Sequence, residues 1–532
     1  MSELCSLNLE PVLSTSGIRS LDAASKNFLA KALKNNPSEQ DVVQCGYTLM
    51  KEAGLALFKH VKAKALEPVA IFVGGGNNGG DGLVLAKHLL QAGIKSSVFS
   101  LASANKFQNE ARLALEDFTQ AGGQLYEVTE LLDGFKLIVD CMLGNGAKGE
   151  LRQAFTNAVQ TINNSGIPVI AADAPTGYDS SVHSCNSTCI HADETMLFGF
   201  PRLDAYVKEG GNAFGKAIIA KLSYPAELLQ QFDEQVYLVT EKTITQLTPT
   251  RDEWGDKRVQ GNPLIIAGSK DMPGAAALCT EAALRSGAGL VTLATTEAIT
   301  PIIQAKLSEP VFCSLSEATN INGALQPHHI PTLLKRAKHA SAIAIGPGLS
   351  TNESTIQAVL ELLPQFKAPM VIDADALNAI ATLNDNGPTC DGAAIEYLHQ
   401  LQSTAILTPH VREFARLFGT LPDDSFEIPS CLRALASSTN KVILLKGAPT
   451  YIASPDENVY VIPTANSGMA KGGSGDVLTG IIVALFSQGL AATEAAVLGA
   501  LLHQKAGRIT REELGAFSML PSDVIKNLHK AF

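Results

Sequence analysis

One unit recurs along this chain and limits what it can become: a short apolar run, a polar or glycine-rich loop at its end, then a stretch with helical spacing. Val69-Ala70-Ile71-Phe72-Val73 enters residues 74–82, Leu137-Ile138-Val139 enters Asp140, and Val169-Ile170-Ala171-Ala172 enters Asp173. Further on, residues 264–267 enter Gly268, Ala342–Ile345 enters Gly346-Pro347-Gly348, and Met370–Ile372 enters Asp373. Ala405–Leu407 then enters Thr408-Pro409-His410, and Val442–Leu445 enters Lys446. Runs that are apolar throughout, rather than alternating, are buried on both faces, as parallel strands covered by helices are. The chain is therefore predicted to be α/β, with ligands bound at the carboxyl ends of the strands, where the polar loops lie. Its 532 residues exceed what one core organises, so two domains are the minimum. A hydrophobic fraction of 46% against 17% charged residues agrees with buried sheets.

The net charge of −11, the lack of a basic run and the single Trp argue against a nucleic-acid surface, so small molecules are the expected partners. The nine cysteines are odd in number and dispersed, which predicts free thiols in a reducing, cytoplasmic setting. Residues 1–13 carry Glu3 and Glu10 without a basic flank or a long apolar run, so no signal peptide is expected there. Residues 481–502 are interrupted by Gly489, Thr493 and Glu494, which predicts two packed helices and no membrane span. His183, Cys185, Cys189 and His191 have the chemistry of zinc ligands. Their neighbours Ser181, Ser184, Asn186, Ser187 and Thr188 predict a plain surface loop without structural zinc.

In the first half, helical spacing over residues 18–34 and 42–63 precedes the first strand, and a further helix is predicted over 83–92. Between strand and helix, Gly74, Gly76 and Gly79 satisfy the loose dinucleotide fingerprint. The acid that would hold a ribose is missing, because the next strand, residues 96–101, ends in Ala102 and Ser103, so an ordinary dehydrogenase is not expected. Asn77, Asn78 and Asp81 offer more side-chain oxygen than a pyrophosphate loop needs, which points to sugar hydroxyls, an amide or a cation as well. Asp140 or Asp173 alone could be a turn residue, but three strand-end loops of the same kind favour a site.

Asn77-Asn78-Gly79-Gly80-Asp81-Gly82, Asp140 with the loop Gly144-Asn145-Gly146-Ala147-Lys148-Gly149-Glu150, Asp173-Ala174-Pro175-Thr176-Gly177 and Leu49-Met50-Lys51-Glu52-Ala53-Gly54 together resemble the NAD(P)H-hydrate epimerase family. The resemblance implies a Rossmann-like parallel-sheet domain over residues 1–230. In it Asn77 to Asp81, Gly144 to Glu150 and Asp173 hold the hydrated nucleotides NADHX and NADPHX, while Asn78, Asp140 and Thr176 bind potassium. Oxygen-only ligands suit such a hard cation. Cys141 and Asn145 depart from the family pattern, which favours small or hydroxyl residues there. Asp173 is the candidate for proton transfer. Relatives of this fold also serve as interaction modules, so a scaffold whose first domain only binds is the alternative.

The strand-loop pattern pauses over residues 226–248, with a crossing at 231–234, and a second domain is read over 239–532. Near its end stands Gly468-Met469-Ala470-Lys471-Gly472-Gly473-Ser474-Gly475-Asp476, followed by an apolar helix predicted over 477–487. Small residues let the N–H groups of Gly472 to Gly475 approach a phosphate, and the first helical turn adds a partial positive charge. Asp476 beside that anion is either a helix cap or a general base for an attacking hydroxyl. No glycine loop ends in Lys-Ser or Lys-Thr, so a Walker-type site is excluded.

Gly346-Pro347-Gly348-Leu349, Asp373-Ala374-Asp375-Ala376-Leu377-Asn378, Thr408-Pro409-His410, Lys446-Gly447-Ala448-Pro449-Thr450 and the Asp476 loop are similar to ADP/ATP-dependent NAD(P)H-hydrate dehydratase, of the ribokinase-like superfamily. The resemblance implies a ribokinase-like α/β domain in which Lys446, Gly447, Ala448, Pro449, Thr450 and Gly475 contact the adenine nucleotide and Ala275, Gly348, His410 and Asp476 contact the hydrate. His410 is followed by Val411-Arg412-Glu413 instead of the commoner Pro-Gly-Glu. Magnesium is expected with the nucleotide, which the bacterial character of such a fused chain makes ADP, and a homo-oligomer is expected. The implied chemistry is phosphorylation of the C6 hydroxyl of the hydrate, with Asp476 as base, followed by loss of phosphate. A ribokinase-like kinase of vitamin-precursor type, which would leave the phosphate on its product, and a nucleotide-responsive scaffold are the rival readings.

Overall fold

The apolar runs read above are strands, and their neighbours across each sheet follow from the lengths of the connections. The computed structural model describes residues 9–128, 132–180, 182, 184–185, 187–232, 234–316, 323–384, 387 and 392–532, so His183 lies outside the described residues. The chain divides into a unit built from Glu10–Gln235 and a unit built from Val236–Asp423 with Glu427–Phe532.

In the first unit the sheet order is Lys216–Ala220, Glu194–Phe198, Val169–Ala172, Leu137–Cys141, Val69–Val73, Ser96–Ser100, Leu125–Tyr126, with parallel pairing throughout. The chain leaves Val69–Val73 toward Ser96–Ser100 and later returns to its other side as Leu137–Cys141, which makes the reversal that opens a crevice at the carboxyl ends. Two helices precede the sheet: Thr15–Leu33, capped by the Ser14 hydroxyl, and Glu39–Lys64, closed by a Ser38–Asp41 capping box.

The next helix differs from expectation. It spans Asn77–Gln91, so the glycine-rich segment forms its first turns instead of a loop before it. Glycine is a poor helix former, but here close packing overrides propensity. A Cβ at Gly79 would stand 1.9 Å from the Gly74 carbonyl oxygen, and one at Gly82 would stand 2.8 Å from the Cys141 Cβ. The glycines let the helix lie directly on the strand ends.

In the second unit the sheet runs Val236–Leu238, Val459–Ile462, Thr450–Ala453, Val442–Leu445, Ala405–Leu407, Met370–Ile372, Ala342–Ile345, Pro263–Ile266, Thr292–Thr296, Val311–Leu315. Thr450–Ala453 pairs antiparallel with both neighbours, a departure from the uniformly parallel sheet expected. The reason is length: residues 446–449 permit a hairpin, whereas a parallel return needs a crossover of about a dozen residues or more. Residues 481–502 do split between two helices, Ser474–Ser487 and Ala492–Ser518, separated at Gly489, whose φ is 98°. The first starts before residue 477 because Gly473, at φ 100°, is its N-cap. Among the described residues, no helix is long and apolar enough to cross a membrane.

Candidate active sites

A cavity of about 700 Å³ opens in the first unit at the carboxyl ends of its central strands. Its walls include Asn77, Asn78, Asp81, Gly144, Asn145, Gly146, Ala147 and Asp173, which come from three separate segments of the sequence. Gly79 and Gly80 lie in the first turn of the adjoining helix, whose first intrahelical bond runs from Gly80 N–H to the Gly76 carbonyl, leaving earlier amides for an anion. Lys148, Gly149 and Glu150 continue the loop away from the cavity wall. There the Gly149 N–H donates to Asp179 and Glu150 accepts from Ser187.

Beneath this wall sit three oxygen-bearing side chains. Asp140 is fully buried and accepts from the Met142 N–H, the Thr176 N–H at 2.8 Å and the Thr176 hydroxyl at 2.8 Å. Burial pushes its carboxyl up to about 6, with the bonds from Thr176 and Met142 pulling the other way. The amide oxygen and nitrogen of Asn78 are buried without a hydrogen-bond partner. A buried amide so orphaned calls for a partner, water or ion, and Asn78, Asp140 and Thr176 offer the oxygen donors that a hard cation takes.

Asp173 adopts the left-handed conformation at φ 63°, uncommon for a residue with a side chain. The strain is held by its partners: Arg202 donates to Oδ1 at 2.6 Å and to the Asp173 carbonyl at 2.8 Å, and the Asn145 N–H donates to Oδ2 at 2.9 Å. A Cβ at Gly144 would stand 2.8 Å from that Oδ2, so the loop passes close over the carboxylate. Arg202 is itself buried and reaches Asp204 at 3.2 Å. Burial opposes its charge, but Asp204 and Asp173 outweigh it and hold the guanidinium charged.

Sequence reasoning missed the opposite wall. Asp22 and Lys26 on the helix Thr15–Leu33, Glu110 and Tyr224 all line the cavity, and Arg19 reaches the Asn145 carbonyl. Asp22 and Lys26 at i and i+4 read as an ordinary solvated pair, and nothing local marks Arg202 or Tyr224 as buried.

In the second unit the loop ahead of Ser474–Ser487 carries the corresponding chemistry. The first backbone bond into this helix runs from Val477 N–H to Gly473 O, so the amides of Gly475 and Asp476 are not used internally. The Asp476 carboxyl makes no hydrogen bond among the described residues, and the N-cap is Gly473, so Asp476 is not a cap. Burial, and then repulsion from Asp373, push it up to about 7, with Lys446 acting in the opposite direction.

Lys446 stands across from it. Its ammonium is 2.7 Å from Asp373 Oδ1 and 3.6 Å from Glu413, and a Cβ at Gly475 would stand 3.3 Å from it. Burial works against that charge, but Asp373 and Glu413 raise its pKa overall. Asp373 also accepts from the Thr479 hydroxyl at 2.7 Å, which fixes it from the helix side. Gly447 and Thr450 close the short turn through a bond from the Thr450 hydroxyl to the Gly447 carbonyl, with Ala448 and Pro449 between them. Lys471, although inside the glycine loop, is tied to the Phe517 and Met519 carbonyls at 2.7 Å, so it buttresses the loop.

Gly348 and Ala275 are brought together: a Cβ on Gly348, at φ 63°, would lie 2.8 Å from that of Ala275. Ala275 opens the helix Pro273–Arg285, which packs along Ser474–Ser487 where Gly480 lets backbones approach. His410 is an N-cap: its Nδ1 accepts from the Arg412 and Glu413 amides, and Glu413 accepts from the His410 N–H. The Val-Arg-Glu sequence thus makes a capping box, with the ring half-exposed. Of the residues with zinc-ligand chemistry, Cys189 is buried in the apolar cluster that includes Phe214, unlike the plain surface loop expected, while Cys185 is half-buried and His191 exposed.

Two α/β units, each gathering acids, glycines and helix N-terminal amides at its strand ends, define a bifunctional enzyme of small phosphorylated molecules. The comparisons with known proteins agree. The family model described as NAD(P)H-hydrate dehydratase matches residues 263–530, and that described as YjeF-related protein N-terminus matches 46–203. The bifunctional NAD(P)H-hydrate repair enzyme Nnr of Moorella thermoacetica is 37% identical over 502 residues, covering 90% of this chain and 90% of the relative. That of Escherichia coli is 30% identical over 491 residues, covering 91% and 89%. A solved ADP/ATP-dependent NAD(P)H-hydrate dehydratase from Bacillus subtilis, co-crystallised with ATP/Mg2+, is 31% identical, with a TM-score of 0.45 over 55% of this chain and 96% of that one. The chain belongs to the family of bifunctional NAD(P)H-hydrate repair enzymes.

Proposed function

We propose that the chain repairs hydrated nicotinamide cofactors. Residues 1–230 interconvert the R and S epimers of NADHX and NADPHX, and residues 239–532 dehydrate the S epimer at the expense of ADP, releasing AMP and phosphate. One observation carries the reading: Asp476, poised at about 7 and free of hydrogen bonds, beside unused helix N-terminal amides and facing Lys446. A base must be ionised near working pH and able to reach a proton, and an acid so placed meets both conditions.

The hydrate carries a hydroxyl on ring carbon C6, next to N1, and hydroxide leaves poorly at neutral pH. Asp476 takes the hydroxyl proton while the Gly472 to Gly475 segment holds the phosphates and Lys446, with Gly447 to Thr450, binds the nucleotide. The N1 lone pair then expels phosphate and C5 loses its proton, restoring NAD(P)H. Ala275, Gly348 and His410 line the hydrate's side of this cleft. Among the described residues no cluster of three acids, His or Cys could cage magnesium, so that ion is expected to arrive on the nucleotide, where it neutralises phosphate charge. ADP is the expected donor.

At the first site Asn77 to Asp81, Gly144 to Ala147 and Asp173 bind the hydrate, Lys148, Gly149 and Glu150 extend the same loop beyond the wall, and Asp173 moves a proton at C6. Asn78, Asp140 and Thr176 are the potassium ligands, on the strength of the orphaned Asn78 oxygen. Bound there, potassium supplies a fixed positive charge beside an anionic nucleotide. A cytoplasmic homo-oligomer completes the reading. The test is to incubate the purified protein with NADHX and ADP or ATP, following regained absorbance of the reduced nicotinamide together with free phosphate. Phosphate kept on the product would instead identify a small-molecule kinase, and binding without turnover a scaffold.

A further inference from the structure

The N-terminal cavity holds more acid than its cations pair. Arg202 takes Asp173 at 2.6 Å and Lys26 takes Glu110 at 2.6 Å. Gly46 makes that second pair possible, since a Cβ there would stand 2.3 Å from Glu110 Oε1. Asp22 and Asp81 have no ion-pair partner among the described residues, because the remaining cation on this wall, Arg19, is spent on Asn145. Asp81 is only 8% exposed and unpartnered, a costly arrangement unless a ligand or a proton relieves it. Asp22 is half-buried, faces the same cavity and accepts one hydrogen bond, from the Tyr224 hydroxyl at 2.6 Å, which fixes one oxygen and leaves the other directed by it.

Burial raises both unpaired acids and the Asp173 carboxylate raises them further, while the bond from Tyr224 pulls Asp22 the other way without cancelling the rise. Asp173, paired with a guanidinium, and Asp22, which has no cation of its own and whose carboxyl burial raises, are placed as a base and an acid sharing one site. Asp81 is the less accessible of the two raised acids, so Asp22 is the one that reaches a substrate.

We propose that Asp22, oriented by Tyr224, is the second catalytic residue of this cavity, giving its proton to ring nitrogen N1 of the hydrate while Asp173 takes the proton of the C6 hydroxyl. This rests on the epimerase reading above. As the hydroxyl proton leaves, C6 and its oxygen form a carbonyl, the N1–C6 bond breaks, and its electron pair goes to N1, which takes the Asp22 proton. The ring-opened aldehyde turns about the C5–C6 bond. N1 then attacks the other face of the carbonyl, its proton returns to Asp22, and the oxygen recovers the proton held by Asp173. Both carboxyls end as they began, nothing is gained or lost, and no oxidant or nucleotide is needed.

The experiment follows interconversion of purified R- and S-NADHX by the full chain without nucleotide, using chromatography that resolves the epimers. Asp22→Asn is expected to slow interconversion on the order of 10²-fold or more while NADHX binding stays within a few-fold. Tyr224→Phe should slow it about tenfold, the worth of one hydrogen bond, and Asp22→Glu should recover part of the lost rate. Melting temperatures identify any variant that fails to fold, in which case the Tyr224→Phe rate decides. Interconversion at the wild-type rate in Asp22→Asn or in a folded Tyr224→Phe overturns the proposal, and if Asp173→Asn is slow in the same assay the epimerase reading stands without it. Heavy oxygen entering C6 from labelled water in step with epimerisation overturns the ring-opening step. A wild-type chain that binds NADHX and never interconverts its epimers brings down the epimerase reading and the proposal together.

Discussion

Replacing Asp476 with asparagine separates catalysis from stability in the second unit, because the two are expected to move in opposite directions. Asparagine keeps the size of the side chain and cannot accept a proton, so dehydratase turnover should fall by a factor on the order of 10² or more. The stability effect follows from the raised carboxyl. Its value rises from the ordinary 3.8 to about 7, so the folded chain holds a proton there that the unfolded chain has released. Stability is therefore lost as pH rises through that interval, and above about 7 the ionised Asp476 costs at most about 4 kcal/mol. Solvent screening at a half-buried group reduces this to about 2 kcal/mol. Asp476→Asn should then melt higher than the parent at pH 8 and about equally at pH 4, while the wild-type kcat/KM rises with pH through about 7. Paired dehydratase kinetics and thermal melts at the two pH values measure both effects. Normal turnover in the variant would remove the general-base assignment, and a lower melting temperature at pH 8 would refute the electrostatic account of this loop.

Asp173→Asn should abolish epimerisation and spare dehydration of the S epimer, since the two carboxyls belong to separate units; loss of both activities in a folded variant argues against that division. Replacing potassium completely by a large organic cation should depress epimerisation, because the Asn78 oxygen would lose its ligand; an unchanged rate counts against the cation site. Lys446→Ala should destabilise the chain by about 3–5 kcal/mol, because Asp373 is left buried with an uncompensated charge, and adding Asp373→Asn should recover much of the loss in denaturant titrations. Single and double variants of equal stability would show that this pair is replaceable.

How much of each site was legible depended on how local its chemistry is. Val69–Val73, residues 137–139, Val169–Ala172 and Met370–Ile372 announce themselves by unbroken apolar runs, and Asp140, Asp173 and Asp373 by standing where such runs stop, although the strand carries on through Asp140 to Cys141. The turn after His410 was not legible, because its capping box depends on Glu413 folding back to the His410 amide. Asn77–Gly82 was read as a loop because glycine-rich stretches usually are, and only the strand ends beneath them make those glycines helical. Thr450 was legible as the end of a polar loop and not as the start of the antiparallel strand Thr450–Ala453, since its partner Val459–Ile462 lies beyond the next turn.

The sequence by itself determined the α/β class, the strand-end placement of the acids and the glycine loop before Asp476, because each follows from residue types within a few positions of one another. Tertiary structure alone decided which distant groups complete the sites. Asp22, Lys26, Glu110, Tyr224 and Arg202 come from four separate segments, and their charges acquire meaning only through burial and mutual distance. The same holds for Asp476: the sequence leaves cap and base open, and it is the desolvation around the carboxyl, with Asp373 and Lys446 brought in from other strands, that sets it near neutrality. Electrostatic energy depends on three-dimensional separation and on the solvent excluded between charges, and neither is written in the spacing of residues along a chain.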